Sequence, residues 1–259
     1  MGNTRYGALA KTKNWRQVIV LLADASVSPD AVAAETLRAA RHALLRLQSD
    51  PTFSYCGYIL THFAWQAKNE HLPTFLSRIG MTQVQAAGRE SFVGELSKHL
   101  TAKRAEHGKV NAMSEIAESA LLETVQNAIS EETPLLFGPR LADVESAFRS
   151  HGTPTGFSGL AKSFFATFLK RTLGYFLSKE LPNHIGLARR FETLASAAEF
   201  DRDIEKFCLE SVRVLGEYSR DWYSLHTYQG RIEERDARAF LSLALEKLSK
   251  EVVREEKPR

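Results

Sequence analysis

An all-α fold, an irregular multi-helix bundle of about nine or ten helices, is predicted by three features of this 259-residue sequence. Apolar residues recur at steps of three and four in segment after segment, the spacing that lines one face of a helix. Those segments open and close on residues that cap helices, such as Ser28-Pro29-Asp30 and Asp50-Pro51. Strand signals are almost missing: VIVLL at 18–22 could form a buried strand, but nothing else in the chain offers it a partner, so helix is preferred. The bundle is organised around 157–181, which holds five of the 15 phenylalanines.

Residues 1–13 are polar, basic and glycine-containing, and predict a flexible N-terminal arm. Asn14 and Gln17 have the form of a capping box that starts a helix ending near Ser26. Ser28 as N-cap, Pro29 at the first helical position and Asp30 beside the positive dipole end start the next, which runs to about Gln48. An aromatic helix follows over 53–68, then a short element over 72–79. After the polar turn GMTQVQAAG come helices over about 90–107, from Ser114 to before Pro134, and over 141–149. SHGTPTG, residues 150–156, is the clearest turn-rich segment and the predicted linker between an N-terminal lobe, 14–149, and a C-terminal lobe, 157–253.

In the central helix Phe157, Leu160, Ala161, Phe164, Phe165, Phe168, Leu173, Phe176 and Leu177 share a face that must be buried. Lys162, Lys170, Arg171 and Lys179 interrupt the apolar run, so it falls short of the ~20 residues a membrane span needs. Helices are then expected over 187–198, from about Asp201 to Tyr223, and from Glu233 to about Val253. The loop SLHTYQGRI precedes the last, and a frayed tail, 254–259, ends the chain.

Composition narrows the function classes. A net charge of +3 is too mild to imply nucleic acid on its own. It is unevenly spread: Arg5, Lys11, Lys13 and Arg16 precede the first acid, Asp24, whereas 110–150 carries seven acids against Arg140 and Arg149. Cys56 and Cys208 lie far apart within helical patterns, which supports neither a disulfide framework nor a zinc site and predicts a reducing cytoplasm. No secretory leader is indicated.

GTPTG lacks the lysine of a phosphate-binding loop, and there is no GxGxxG after a strand, no GxSxG elbow and no HExxH. The eight histidines are scattered without ligand spacing, so no metal or cofactor is expected. Acid pairs occur at Asp201 and Asp203, Glu131 and Glu132, and Glu233 and Glu234. Such neighbours diverge on a helix, and Asp201 and Asp203 read as a solvated helix start. The best catalytic candidate is RDWYSLH, Arg220 to His226, which resembles the Rx4-6H signature of HEPN ribonucleases, helical bundles that juxtapose these residues across a dimer. The resemblance implies a metal-independent ribonuclease in which His226 acts as acid or base towards the ribose 2′-hydroxyl and Arg220 stabilises the phosphorane charge. Asp221 stands where that family most often has asparagine.

Around the same segment Tyr218, Trp222, Tyr223 and Tyr228 are interleaved with Arg213, Arg220, Arg231 and Arg235. Rings and arginines in this mixture can stack bases and hold phosphates, form a protein hot spot, or pack a turn between two helices. The economical reading is a non-catalytic interaction or scaffold subunit of a cytosolic, bacterial-type multi-protein assembly. Its expected contacts are the basic residues Arg5, Lys11, Lys13 and Arg16 together with Arg213, Tyr218, Trp222, Tyr223, Tyr228, Arg231 and Arg235. The partner is a protein or a second copy, with nucleic acid a third reading through the basic arm; neither a membrane nor a small-molecule substrate is indicated. An association with a defence system is an expectation that no residue carries.

Overall fold

Several helices start where a side chain takes over an orphaned backbone N–H. In the computed structural model, which describes residues 12–69, 71–82, 89–108, 111–132 and 141–254, Thr12 accepts from the Trp15 amide at 3.2 Å and starts α1, Lys13–Ala23. The start therefore lies at Thr12 rather than at the predicted Asn14, Lys13 is helical rather than part of an arm, and 18–22 is helix. Ser28 caps α2, Pro29–Arg46, and Asp50 caps α3, Pro51–Lys68. There follow α4, Leu72–Arg78; α5, Arg89–Glu106; α6, Ala112–Glu132; and α7, Leu141–His151. Thr153 caps α8, Pro154–Leu177, by accepting from the Gly156 amide at 3.0 Å. Next come α9, Leu194–Ser211, α10, Leu215–Tyr228, and α11, Glu234–Arg254. Short 3₁₀ turns occupy Leu47–Ser49, Leu181–His184 and Val212–Val214.

The protein is all-α among the described residues, with eleven α-helices and a single isolated β-bridge between Ile185 and Phe191. The predicted linker 150–156 is mostly helical, and only Gly152 and Thr153 separate α7 from α8. Its glycines serve close approach. A Cβ on Gly152 would meet the Lys68 Cβ at 2.4 Å, and one on Gly156 would meet the Ser150 carbonyl at 2.3 Å. Segments on the two sides of this turn share one core: α8 packs against α2, α3, α6, α7, α9 and α10, and α11 lies on α2 and α3. Phe53 of α3 meets Phe168 of α8 at 5.6 Å between ring centroids, and Trp15 of α1 meets Phe176 at 6.2 Å. Two of the charged residues that interrupt α8 reach neighbouring helices, Lys170 to Glu205 at 2.9 Å and Arg171 to Glu123.

The C-terminal elements depart from expectation in two places. Residues 187–193 are not helical, and α9 absorbs both the end of the predicted 187–198 helix and the start of the predicted 201–223 helix. Asp201 and Asp203 consequently sit mid-helix, with Asp203 paired to Lys206 at 2.8 Å. The predicted 201–223 helix is broken at Val212–Val214, and α10 continues through Tyr228, so His226 is helical rather than in a loop.

One buried carboxyl is poorly served by this packing. Glu118 of α6 is 6% exposed, its Oε1 has no hydrogen-bond partner among the described residues, and Arg104 is 3.5 Å from its Oε2. Burial, only partly offset by Arg104, pushes its pKa up from 4.5 to about 7. Between these values the folded state holds a proton that the unfolded state has released, so the group destabilises the fold progressively as pH rises from 4.5 to about 7, and fully above it. Glu118→Gln is expected to gain about 1–3 kcal/mol over the native chain at pH 8 and to match it near pH 4. Urea unfolding at both pH values checks this, and an equal difference at both would refute it.

Candidate interaction surface

The Ile185–Phe191 loop is fixed from both ends and from below. The Gly186 amide donates to the Phe191 carbonyl at 2.8 Å, and the Phe191 amide donates to the His184 carbonyl at 3.0 Å. Gly186 at φ 132° and Ala188 at φ 60° turn the chain between them. The left-handed region suits glycine, but for alanine it costs about 1–2 kcal/mol, so the surroundings must hold it there. Arg190 does much of the holding: its guanidinium donates to the carbonyls of Leu21 at 3.1 Å, Asp24 at 2.5 Å and Val27 at 2.6 Å, and lies over the rings of Phe191 and Phe200. Those carbonyls close the C-terminal end of α1, where the macrodipole favours a cation. Asp24 shapes the same turn by accepting from the Ser26 amide and hydroxyl, bonds that lower its pKa.

This scaffold carries apolar side chains outward. Leu187 is 98% exposed at the loop tip, Leu194 is 76% exposed at the first turn of α9, and Val20 is 61% exposed on α1 one residue before the Arg190 contact. Lys13 and Arg16 fall with Val20 at steps of three and four along α1, all exposed, while Trp15, Val18 and Leu22 are buried on its other side. Two of the predicted basic contacts therefore stand beside apolar side chains. Arg5 and Lys11 lie outside the described residues. Leu187 was missed because its spacing with Phe191 and Leu194 imitates a helix; the available signal was Gly186, a turn residue directly before it.

The segment 213–235 divides differently from the expectation. Tyr223 is a core residue and not a contact: it is fully buried, stacks on Phe157 at 4.4 Å, and its hydroxyl has no hydrogen-bond partner among the described residues. Trp222 is half-buried against Phe157 and Phe240, and Tyr218 stacks on Phe240 and donates to its carbonyl at 3.2 Å. Tyr228 remains 92% exposed. Arg213 pairs with Glu210, Arg231 with Glu233, and Arg235 with Glu233 and Asp236, exposed ion pairs of little energetic weight. Arg220 is exposed. His226 stacks on Trp222 at 4.3 Å, and its Nδ1 is 2.8 Å from the Trp222 carbonyl. Six residues of helix set Arg220 and His226 about 120° apart around α10, so one chain does not bring them onto one face.

No family model, curated protein or solved structure matches the chain. Among the described residues, no group of three or more His, Cys, Asp or Glu is placed to hold a metal ion, and no helix is long and apolar enough to cross a membrane. Cys56 and Cys208 are free and buried, and burial raises both thiols, Cys208 to about 12.

Proposed function

We propose that this protein acts by contact, as a non-catalytic helical subunit of a cytosolic multi-protein assembly that docks a partner protein on the face formed by α1 and residues 185–194. The observation that carries this reading is Leu187, an almost fully exposed leucine on a loop held by three guanidinium–carbonyl bonds and a left-handed alanine. A fixed backbone under an apolar side chain lowers the ordering entropy lost on binding, which is how preorganisation strengthens an interface. Lys13 and Arg16 favour an acidic rim on the partner.

Leu187→Glu is expected to leave the melting temperature unchanged, because the side chain touches solvent, and to weaken capture of the partner from native host extract about tenfold or more by burying an unpaired charge. Capture that survives both Leu187→Glu and Lys13→Glu would refute this face as the interface. The second reading, a HEPN-like ribonuclease, is favoured by one feature: His226 donates from Nδ1 to the Trp222 carbonyl at 2.8 Å, which leaves Nε2 for proton transfer. Because Arg220 lies on another face, that activity requires a second protomer. RNA cleavage by the purified protein that is lost in His226→Ala would establish it over the contact reading.

A further inference from the structure

A second surface, away from α1, has the composition of a small-molecule site. Along one face of α3, Tyr55, Tyr58, His62 and Trp65 follow at steps of three, four and three, which stacks their rings into a ladder. Tyr55 and Tyr58 lie 5.9 Å apart between centroids, Tyr58 and His62 3.9 Å, and Trp65 meets His62 edge-on at 5.5 Å. The ladder is held rigid from behind. The Tyr55 hydroxyl is 2.7 Å from His99 Nε2, Phe75 stacks on His62 at 4.9 Å, and the buried His62 has its Nδ1 3.0 Å from the Tyr58 carbonyl. Burial pushes the pKa of His62 down to about 4, so it is neutral at physiological pH, donates that bond and adds an uncharged ring.

In front of the ladder is a groove of about 640 Å³, within the range of ligand sites. Its other walls come from distant parts of the chain: Arg78 and Ile79 at the C-terminal end of α4, Lys103 of α5, and Arg231 to Glu234 at the start of α11. Three cations thus face two carboxylates across aromatic rings. Of the carboxylates, Glu233 is engaged by Arg235 at 2.9 Å and Arg231 at 3.6 Å, which leaves Glu234 as the acceptor at the rim. Lys103 pairs with Glu106 at 2.8 Å, and an ammonium keeps further donors for an anion. Arg78 lies 5.3 Å over the Phe75 ring and hydrogen-bonds the Tyr58 side chain, and a guanidinium with five N–H donors keeps others for an anion.

We propose that this groove binds a nucleoside monophosphate, with an amino-bearing base stacked on Tyr58 and Trp65, the phosphate held by Arg78 and Lys103, and Glu234 accepting from the exocyclic amino group. Rings supply a stacking surface, guanidinium and ammonium groups meet phosphate, and a carboxylate selects a donor edge. No local motif announces the site, because its walls are assembled from residues 55–66, 78–79, 103 and 231–234. The proposal is independent of the docking face on α1.

The test is calorimetric titration of the full chain with adenosine 5′-monophosphate, with adenosine and inorganic phosphate as separate titrants. The monophosphate is expected to bind saturably and more tightly than either fragment. Trp65→Leu and Arg78→Gln should each weaken it about tenfold or more, and Leu209→Ser, exposed on α9 and outside the groove's lining, should leave it unchanged. Arg78 is exposed, so its variant reports on binding even if the Trp65 variant folds poorly. Binding weaker than about 1 mM, binding equal to that of phosphate alone, or binding unaffected by Arg78→Gln would overturn the proposal.

Discussion

Phe165→Ala is expected to cost about 3–5 kcal/mol of unfolding free energy, a large part of the margin on which a domain stands. Phe165 is fully buried near the middle of α8, with its ring 5.2 Å from Phe164 and 6.4 Å from Phe240 of α11. Helix α8 packs against six other helices, so walls supported from several sides cannot all collapse into the space a benzyl group leaves. The cost therefore includes both the lost transfer energy and an unrelieved cavity. Urea unfolding should show a lower midpoint with an unchanged slope. Phe165→Leu, which refills most of the volume, should cost about 1–2 kcal/mol. A loss below about 1 kcal/mol for the alanine variant would mean that α8 is not the centre of the core. Partner capture through the α1 face should persist in whatever fraction remains folded, since the ring partners of Phe165 are Phe164 of α8 and Phe240 of α11.

The features of α8 that predict this were legible because burial on one helical face leaves a local period in the sequence. Its first turn is legible too in Thr153-Pro154, although the turn-rich composition of 150–156 obscures it. It is the same cap-then-proline signature as Ser28-Pro29, and Thr153 accepts from Gly156 just as Ser28 accepts from Ala31. The 185–193 loop lay beyond local reading. Arg190 is 169 residues from Leu21, whose carbonyl it meets, and nothing near it in sequence indicates that long-range partner. Tyr223 was misplaced for a related reason. Adjacent residues on a helix point about 100° apart, and only the position of Phe157 decides that Tyr223 faces inward while Trp222 remains half-exposed. Of the proposed interaction surface, Lys13 and Arg16 were readable as charge asymmetry, whereas Leu187 needed the loop.

Asp50→Ala is expected to cost about 3–5 kcal/mol although it removes only a carboxylate, because that carboxylate starts one helix and anchors another. Asp50 is 8% exposed. Its Oδ1 accepts from the Phe53 amide at 2.9 Å and caps α3, while its Oδ2 accepts from Asn111 Nδ2 and from the Ser114 hydroxyl, both at 2.8 Å. Asn111 in turn accepts from the Ser114 amide at 2.9 Å, which fixes the first turn of α6. Truncation therefore removes an N-cap and leaves donors of the fully buried Ser114 and the neighbouring Asn111 facing an empty site. Asp50→Asn can keep its amide oxygen on the Phe53 amide and so retain the cap, but its NH2 replaces the acceptor of Asn111 and Ser114, so it should recover the capping part of the loss and not the rest. A double-mutant cycle separates this network from simple capping. Ser114→Ala should cost about 1 kcal/mol or more in the native chain and markedly less in the Asp50→Ala background, since the hydroxyl has already lost its acceptor. Additive costs would show that Asp50 acts on α3 alone, and the starts of α3 and α6 would then be held by separate interactions.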